Sequence, residues 1–557
     1  MANRAITRLL NLYAELLRLH ETDEKLASRL SSAAFRLRKF SSDVTEMPQA
    51  ELTTQFQPEI VRLIAQLRKK GTIDELDELI QLTPPGLFDM MRIRGLGGKK
   101  LSVLWKTAGI DSIEQLLKAA KKNEISEIPG FGKKTEENII ASIESLHSNE
   151  QFFHYASVAD AANELVSKIT GQFSNELTQL CGAVRRQCTT VDKIEIITTI
   201  TEKQFSGKTL KKLLIIQSSG GNKTTAHTFD EFPVIIYHTT KEKFYLQLFE
   251  WTGSEGHVNI VKSKLKNETN FSSEEGVYSK ANLPYIIPEM REDNAEWDFE
   301  GNIKNLVTVA DIKGVVHNHT TWSDGVDTLE DFAKACRKRG FEYCVISDHS
   351  KNAHYAGGLK EEKVVKQWER IDYINKQLRP FRIFKSIECD ILVSGDLDYD
   401  ETLLSGFDMV IVSVHQLLKM NEEKATKRLI RAIENPYTTI LGHMTGRQLL
   451  IRPGYPVNFK KVIDACAANN VVIEINANPY RLDMDWSHIP YALNKGVMIS
   501  INPDSHSINE IENIRWGVSA SRKGGLTKAM TWNAQPLQEI KKWLKKKKQI
   551  IPSITQT

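Results

Sequence analysis

The run IKGVVHNH, residues 312–319, is a strand-like apolar stretch that ends on two imidazoles, His317 and His319, one residue apart. Side chains at i and i+2 of a strand share a face, so both rings are expected to point the same way. The pattern recurs downstream in YCVISDH (343–349), RIFKSIECDI (382–391), MVIVSVH (409–415), TTILGH (438–443), VVIEINA (471–477) and VMISINPDSH (497–506). Each is a short β-branched or apolar run, and stretches of helical periodicity such as LEDFAKACRKRG (329–340) and FKKVIDACAANN (459–470) separate them. Alternating strands and helices predict a parallel sheet, and seven such units predict a distorted (β/α)7 barrel. Strand C-termini converge on one face of that fold. The nine candidate metal ligands there are His317, His319, Asp324, His349, Glu388, His415, His443, Asp504 and His506. Six of the fourteen histidines fall in this set, a clustering that scattered core histidines would not produce. Imidazole and carboxylate suit Mn, Fe or Zn and leave the choice among them open.

A chain of 557 residues predicts several domains. Its net charge of +4 excludes a global basic field, so contact with nucleic acid must come from local surface. The six cysteines form no CxxC pair and predict no disulfide framework, which fits a reducing cytoplasm. ITRLLNLYAELLRLH (6–20) reads as an amphipathic helix rather than a secretion signal, and no stretch is apolar enough to span a membrane. The basic run KKWLKKKK (541–548) reads as a solvated helix end.

Upstream, residues 1–70 read as helices broken by the polar stretch SSDVTEMPQA (41–50). Two glycine hairpins follow, IRGLGGKK (93–100) and IPGFGKK (128–134), each leaving one helical stretch and opening another. Gly95, Gly97, Gly130 and Gly132 permit a tight turn and close backbone approach. The N–H groups of the next helix, with Lys99, Lys100, Lys133 and Lys134, can then hold a phosphate oxygen. Two such copies predict sequence-independent binding of the DNA backbone. Between about 150 and 300, the runs KIEIITTI, LKKLLIIQ, FPVIIYHT and FYLQLFEWTGS read as a small sheet with flanking helices. The acidic stretch PEMREDNAEWDFEGN (288–302) reads as a connector.

HNHTTWSDG (317–325), ISDHS (346–350), IECDIL (387–392), SVH (413–415), LGHMTGR (441–447), EINANPYRLDMDW (474–486) and PDSH (503–506) form a dense set of motifs. With LPYIIPEMRED (283–293) and both hairpins, they make the chain resemble a bacterial family X DNA polymerase carrying a C-terminal PHP (polymerase and histidinol phosphatase) domain. The resemblance implies an N-terminal helical subdomain (1–70), a helix-hairpin-helix or fingers region (71–149), a palm-like nucleotidyltransferase domain (150–240) and a thumb-like region (241–300). A linker (301–311), the PHP phosphoesterase domain (312–545) and a tail (546–557) follow. It implies three divalent ions, with Mn the family's usual metal. His317, His319, Glu388 and Asp504, the catalytic set, would hold the first. Glu388 would bridge to a second completed by His415 and His443, and Asp324, His349 and His506 would hold the third. The implied reaction is phosphoester hydrolysis, a 3′→5′ exonuclease in DNA repair or end processing. Arg447 and Arg481 could pair with substrate phosphate.

The polymerase part departs from that family. Where relatives carry Gly-Ser before two arginines, this chain has Gly182-Ala183-Val184-Arg185-Arg186. The three metal-binding aspartates fall on Lys193, Glu195 and Ile235, and the triphosphate-binding serine falls on Ala183. Lysine repels the cations that nucleotidyl transfer needs, and isoleucine offers no ligand. Trp251-Thr252-Gly253-Ser254 still resembles the family's turn, so a folded but inert core is expected. A further family hairpin falls on LTTQFQPEIVRLI (52–64), which has no glycine, although its helices are expected to persist. The reading is a monomeric, DNA-binding phosphoesterase. Its rivals are an active polymerase, a phosphatase of small molecules such as histidinol phosphate, and a non-enzymatic DNA-binding module.

Overall fold

The structure, a computed structural model, describes residues 3–37, 44–93, 95–149, 151–205, 213–265, 269–299 and 301–550. Arg94 of the first hairpin and the end of the expected tail, 551–557, lie outside them. Two units divide the chain, Met1–Glu150 and Gln151–Thr557. No described helix is long and apolar enough to cross a membrane.

The regular elements of the first unit are all helices among its described residues. Helix Asn3–His20 buries Ile6, Leu10, Tyr13, Ala14 and Leu17, a spacing of three and four that places one apolar stripe inward. Helices Gln49–Gln55 and Pro58–Lys70 flank the glycine-free turn at Phe56-Gln57, so the expected helices are present. The second begins on Pro58 and stops at Gly71, whose φ is 77°. The hairpins join short helices to Gly98–Ala108 and Lys133–Asn149.

In the second unit, β1 (Phe153–His154) pairs with β3 (Thr190–Val191). A five-stranded sheet follows, made of β2 (Thr178–Cys181), β4 (Ile194–Thr198), β5 (Ile215–Gly220), β6 (Lys223–His227) and β7 (Pro233–His238), in the order β2-β4-β7-β6-β5. Only β4 and β7 run parallel within it, with Glu195 opposite Ile235. One face packs Ile194, Ile196, Val234 and Ile236, and the other packs Cys181 and Ile197 against Phe244 and Leu248. FYLQLFEWT is a helix, Phe244–Thr252, with Phe244, Leu248, Phe249 and Thr252 buried at helical spacing.

The acidic stretch 288–302 corrects its reading as a polar connector. Glu289, Met290, Arg291 and Glu296 are buried. Arg291, fully enclosed, donates to Glu274 at 2.6 Å, and Arg185 reaches the same carboxylate. Glu292 accepts from Arg186 at 3.1 Å and from Lys523 at 2.6 Å. His257 meets Glu296 at 2.9 Å. These charges enter the interior because each is paired there, which hydropathy cannot register.

The remaining strands are β8 (Gly314–Asn318), β9 (Tyr343–Ile346), β10 (Arg382–Lys385), β11 (Glu388–Asp390), β12 (Val410–Ser413), β13 (Thr438–Leu441), β14 (Val472–Asn476) and β15 (Ile499–Asn502). All fall inside the seven apolar runs, β10 and β11 sharing one. They form two parallel sheets, β10-β9-β8 and β11-β12-β13-β14-β15. Bridges His349–Glu388 and Asn318–Ser505 join the sheets at both seams. Alternate residues part into two cores. Val315, Cys344, Ile346, Val412 and Leu441 pack with helix residues such as Phe332 and Leu429. Val316, Val345, Ile411, Ile440 and Val472 pack with Trp532 and with Leu537, Ile540 and Leu544 of helix Leu537–Ile550. That helix carries the basic run: Lys541, Lys542, Lys545, Lys546 and Lys548 are exposed, as expected of a solvated end, while its apolar face and Lys547 turn inward. Lys547 is buried and donates to the carbonyls of Asn469 and Asn470 at 3.0 Å, and Lys548 donates to that of Phe407 at 2.6 Å.

Candidate metal centre

The nine sequence-selected ligands lie at or beyond the C-terminal ends of strands in the β8–β15 set, Glu388 following β10, and the structure brings all of them into one cluster. Glu388, 1% exposed, is its centre. One carboxylate oxygen lies 3.3 Å from His317 Nε2, 3.1 Å from His415 Nε2 and 3.0 Å from His443 Nε2. The other lies 2.9 Å from His349 Nδ1 and 3.6 Å from His319 Nε2. Asp504 stands 3.3 Å from His319 and 3.7 Å from His317. Asp324 faces His349 at 3.6 Å and His506 at 3.4 Å.

Three groups have the ligand spacing of a cation site: His319, Asp324, His349 and His506; His317, His319 and Asp504; and His349, Glu388 and His415. The sharing of His319 and His349 between groups differs from the assignment that the family resemblance implies. The donor set fits a divalent metal on a second count. His317 Nε2, both ring nitrogens of His319 and His349 Nδ1 are buried with no partner in hydrogen-bond geometry. Buried polar atoms are rarely left so, and a cation would satisfy them.

The electrostatics keep the acids ionised. Burial would raise Glu388, but His415, His317 and His349 outweigh it and hold the carboxyl well below its usual range. Asp504 is lowered likewise, against burial, by His317, His319 and Arg481. Burial, with His506 and His349 beside it, pushes His319 down to about 3, so the ring stays neutral and keeps a lone pair to donate.

Sequence reasoning missed the residues that aim these ligands. Glu474, fully buried on β14, accepts from His317 Nδ1 at 2.6 Å and from the His443 backbone N–H at 3.1 Å. Asp390 receives His415 Nδ1 at 2.6 Å. Asp348 takes the Thr320 backbone N–H at 2.8 Å and the Ser323 hydroxyl at 2.6 Å, fixing the loop that carries Asp324. Partners of this kind orient an imidazole and settle its tautomer. A carboxylate inside an apolar strand run, as in VVIEINA, was the available signal.

The two arginines differ. Arg447 donates to Asp485 at 2.5 Å, to the Arg481 carbonyl at 3.0 Å and to that of Leu482, so its guanidinium is engaged in holding a loop. Arg481 Nη1 lies 3.9 Å from Asp504 Oδ2, beside the cluster.

In the first unit both hairpins take the left-handed turn that requires glycine, with φ of 87° at Gly95 and 89° at Gly130. They are not equivalent. The Gly98 N–H, at the helix start beside Gly97, donates to Glu15 Oε2 at 2.6 Å. Lys99 pairs with Glu24 at 3.2 Å, and Lys100 lies 5.8 Å from the Phe131 ring. The first hairpin thus already holds a carboxylate where a phosphate was expected. Around Gly132 there is open space.

On the five-stranded sheet, Glu195 and Ile235 lie side by side on adjacent strands, and Lys193 immediately precedes β4. Glu195 accepts from the Tyr237 hydroxyl at 2.9 Å, and Lys193 pairs with Asp192 at 2.8 Å. A Cβ at Gly182, preceding Ala183, would meet Glu195 Oε2 at 1.9 Å, so the carboxylate fills the space above that backbone.

Comparison with known proteins matches two stretches of the chain to families. Residues 88–145 match the family described as a SAM-like helix-hairpin-helix tandem, and residues 316–478 match the PHP domain. The chain is 30% identical over 570 residues to the DNA polymerase/3'-5' exonuclease PolX of Bacillus subtilis (strain 168), covering 98% of this chain and 100% of that one. It is 27% identical over 252 residues to a "probable phosphatase" of Thermoanaerobacter sp. (strain X514), covering 42% of this chain and 95% of that one. A "probable phosphatase" of Clostridium acetobutylicum is 29% identical over 203 residues, 34% of this chain and 78% of its own.

Proposed function

Because the chain belongs to the bacterial family X DNA polymerases that carry a PHP domain, we propose that it is a metal-dependent phosphoesterase, a 3′→5′ exonuclease on DNA, with an inert polymerase core. The observation that carries this is the Glu388 cluster, in which buried imidazole nitrogens lack partners around an ionised carboxylate. Within it, His317, His319, Glu388 and Asp504 are the catalytic set, His415 and His443 complete a second position through Glu388, and Asp324, His349 and His506 form a third. Divalent ions, when bound, polarise a phosphoester and activate a water. Glu474 and Asp390 hold His317 and His415 with Nε2 toward Glu388. Arg481 is placed to meet a non-bridging phosphate oxygen. Arg447 positions the loop bearing it.

The finer architecture belongs to the same reading: the seven strand positions from β8 to β15 as a distorted (β/α)7 barrel, residues 150–240 as palm and 241–300 as thumb. The inert core is supported by Lys193, Glu195 and Ile235 on neighbouring strand positions that offer one carboxylate where three are needed. DNA contact is assigned to the hairpins, chiefly Gly130, Gly132, Lys133 and Lys134, since Glu15 covers the Gly98 N–H. The test incubates purified protein and Mn with a 3′-labelled recessed duplex, a labelled single strand and a small phosphate monoester, with and without dNTPs. Nucleotide release from DNA without extension is expected. Turnover of the monoester alone would replace the nuclease with a small-molecule phosphatase.

A further inference from the structure

Among the described residues, five large apolar side chains stand exposed at one end of the β8–β15 strands. They are Tyr355 (70%), Val393 (67%), Leu417 (64%), Ile451 (53%) and Tyr480 (48%). Each belongs to a loop following a different strand, β9, β11, β12, β13 or β14, the end at which the ligands converge. Single exposed apolar residues are ordinary, but five of them on the loops at the ligand-bearing end of the strands are not explained by metal binding.

The two tyrosines are the best placed. The Tyr355 ring lies 6.4 Å from that of His349, and the charged groups around its phenol are Glu388, Asp390, Asp324 and Arg481. No hydrogen bond from its hydroxyl holds it among the described residues. Tyr480 precedes Arg481, and its carbonyl accepts from the Leu449 N–H at 2.8 Å. Its ring is backed edge-on by His154 at 4.8 Å, while His154 Nε2 meets the Leu449 carbonyl at 3.0 Å. A residue of the upstream, polymerase-like part thus braces the rim of the metal centre. A phosphate between Arg481 and the cluster would leave its nucleosides beside these rings. Aromatic faces hold unpaired bases of any sequence by stacking.

We propose that Tyr355 and Tyr480 are substrate-stacking residues that grip the unpaired bases of a nucleic-acid 3′ end, with His154 positioning Tyr480. This rests on the nuclease reading above. It explains how a phosphoesterase centre would prefer a polynucleotide to a small ester. The hydroxyls are not required, so the ring alone should suffice.

The test uses the full chain and an oligonucleotide with 2-aminopurine as its 3′-terminal base. In EDTA, with no turnover, the fluorophore should be quenched by the native protein and by Tyr355→Phe and Tyr480→Phe. Quenching should be lost in Tyr355→Ala with Tyr480→Ala. With Mn, the ratio of kcat/KM on oligonucleotide to that on bis(4-nitrophenyl) phosphate should fall about tenfold in the Ala variants, mostly through KM. A substrate ending in an abasic nucleoside should erase the difference between native and Tyr355→Ala. His154→Ala should reduce quenching by Tyr480 alone, and His154→Phe should restore part of it. Equal quenching in native and double-Ala proteins overturns the proposal, as does a loss in the Phe variants as large as in the Ala variants. Quenching without any DNA hydrolysis would leave the stacking standing and remove the nuclease assignment.

Discussion

The Glu388 cluster and the Glu195 corner both arise where parallel strands bring charged side chains to one place, and they differ in what stands around each charge. Glu388 meets five imidazoles, and the rings of His317 and His415 are held from behind by Glu474 and Asp390. Glu195 meets one phenol and the backbone of Gly182, while Lys193 turns to its neighbour Asp192. The strands beneath Glu195 are intact because Ile194, Ile196, Val234 and Ile236 pack on one face and Cys181 and Ile197 pack with Phe244 on the other. Register therefore puts residues side by side without making them a site. What makes one is a complete donor set whose members are each aimed by a further partner.

The largest effect that would break this comparison is on Glu388 itself. Glu388→Ala should lower Mn-dependent hydrolysis at least about a thousandfold, since bound metal supplies several kcal/mol and each tenfold corresponds to about 1.4 kcal/mol. Metal content by mass spectrometry should fall with it while circular dichroism stays native. Undiminished cleavage would mean that the cluster is not the active centre.

A smaller loss sharpens the role of the backing carboxylates. Glu474→Gln keeps the volume but weakens the hold on His317 Nδ1, and should cost about 10–100-fold in metal affinity or turnover. Native metal titration curves for this variant would make Glu474 a filler of the core and nothing more.

The third expectation concerns the charges that tie the polymerase-like part together. Glu274→Ala leaves Arg291 buried and unpaired and should destabilise by about 3–5 kcal/mol in denaturant unfolding. Burial would raise the Glu274 carboxyl, but Arg185 and Arg291 hold it below the ordinary 4.5. A lowered folded value means its contribution is complete above pH 4.5 and is lost as pH falls through the folded value. Glu274→Gln should flatten that acid limb; an unchanged limb would detach the arginines from stability.

The smallest effect is at the other corner. Glu195→Ala should leave DNA cleavage unaltered, and primer extension should be undetectable in the native protein and the variant alike. Aspartate at 193, 195 and 235 with serine at 183 should return at most a trace of extension, and single replacements none. Robust extension by the native chain, in gels with Mg or Mn, would erase the contrast between the two corners.

Much of this is legible in the sequence for a physical reason. Strand periodicity marks the positions where ligands emerge, so runs such as IKGVVHNH point to eight of the nine cluster residues, Asp324 lying in the loop beyond the first run. Glu474 escapes because a carboxylate in an apolar run reads as a flaw in the strand rather than as a partner awaiting His317. Arg447 reads as a phosphate ligand because its bonds, to Asp485 and two carbonyls, cross between loops distant in sequence. The stretch 288–302 reads as solvated linker because composition cannot reveal that Arg291 and Glu296 meet their opposites in the interior. The first hairpin looks equal to the second because Glu15, which occupies its Gly98 N–H, lies 83 residues away.

The candidate ligands are strung along the β8–β15 part of the chain, from His317 to His506, and this has a consequence for how the protein is made. At about 5–20 residues per second, a ribosome takes on the order of 10–40 s between the first imidazole and the last. Helix Leu537–Ile550, whose Leu537, Ile540 and Leu544 complete the core around Val316, Val345 and Ile411, emerges later still. Until then His317 and His319 are bare imidazoles on a growing chain, open to whatever cation passes. The cluster is therefore among the last features of the chain to be assembled.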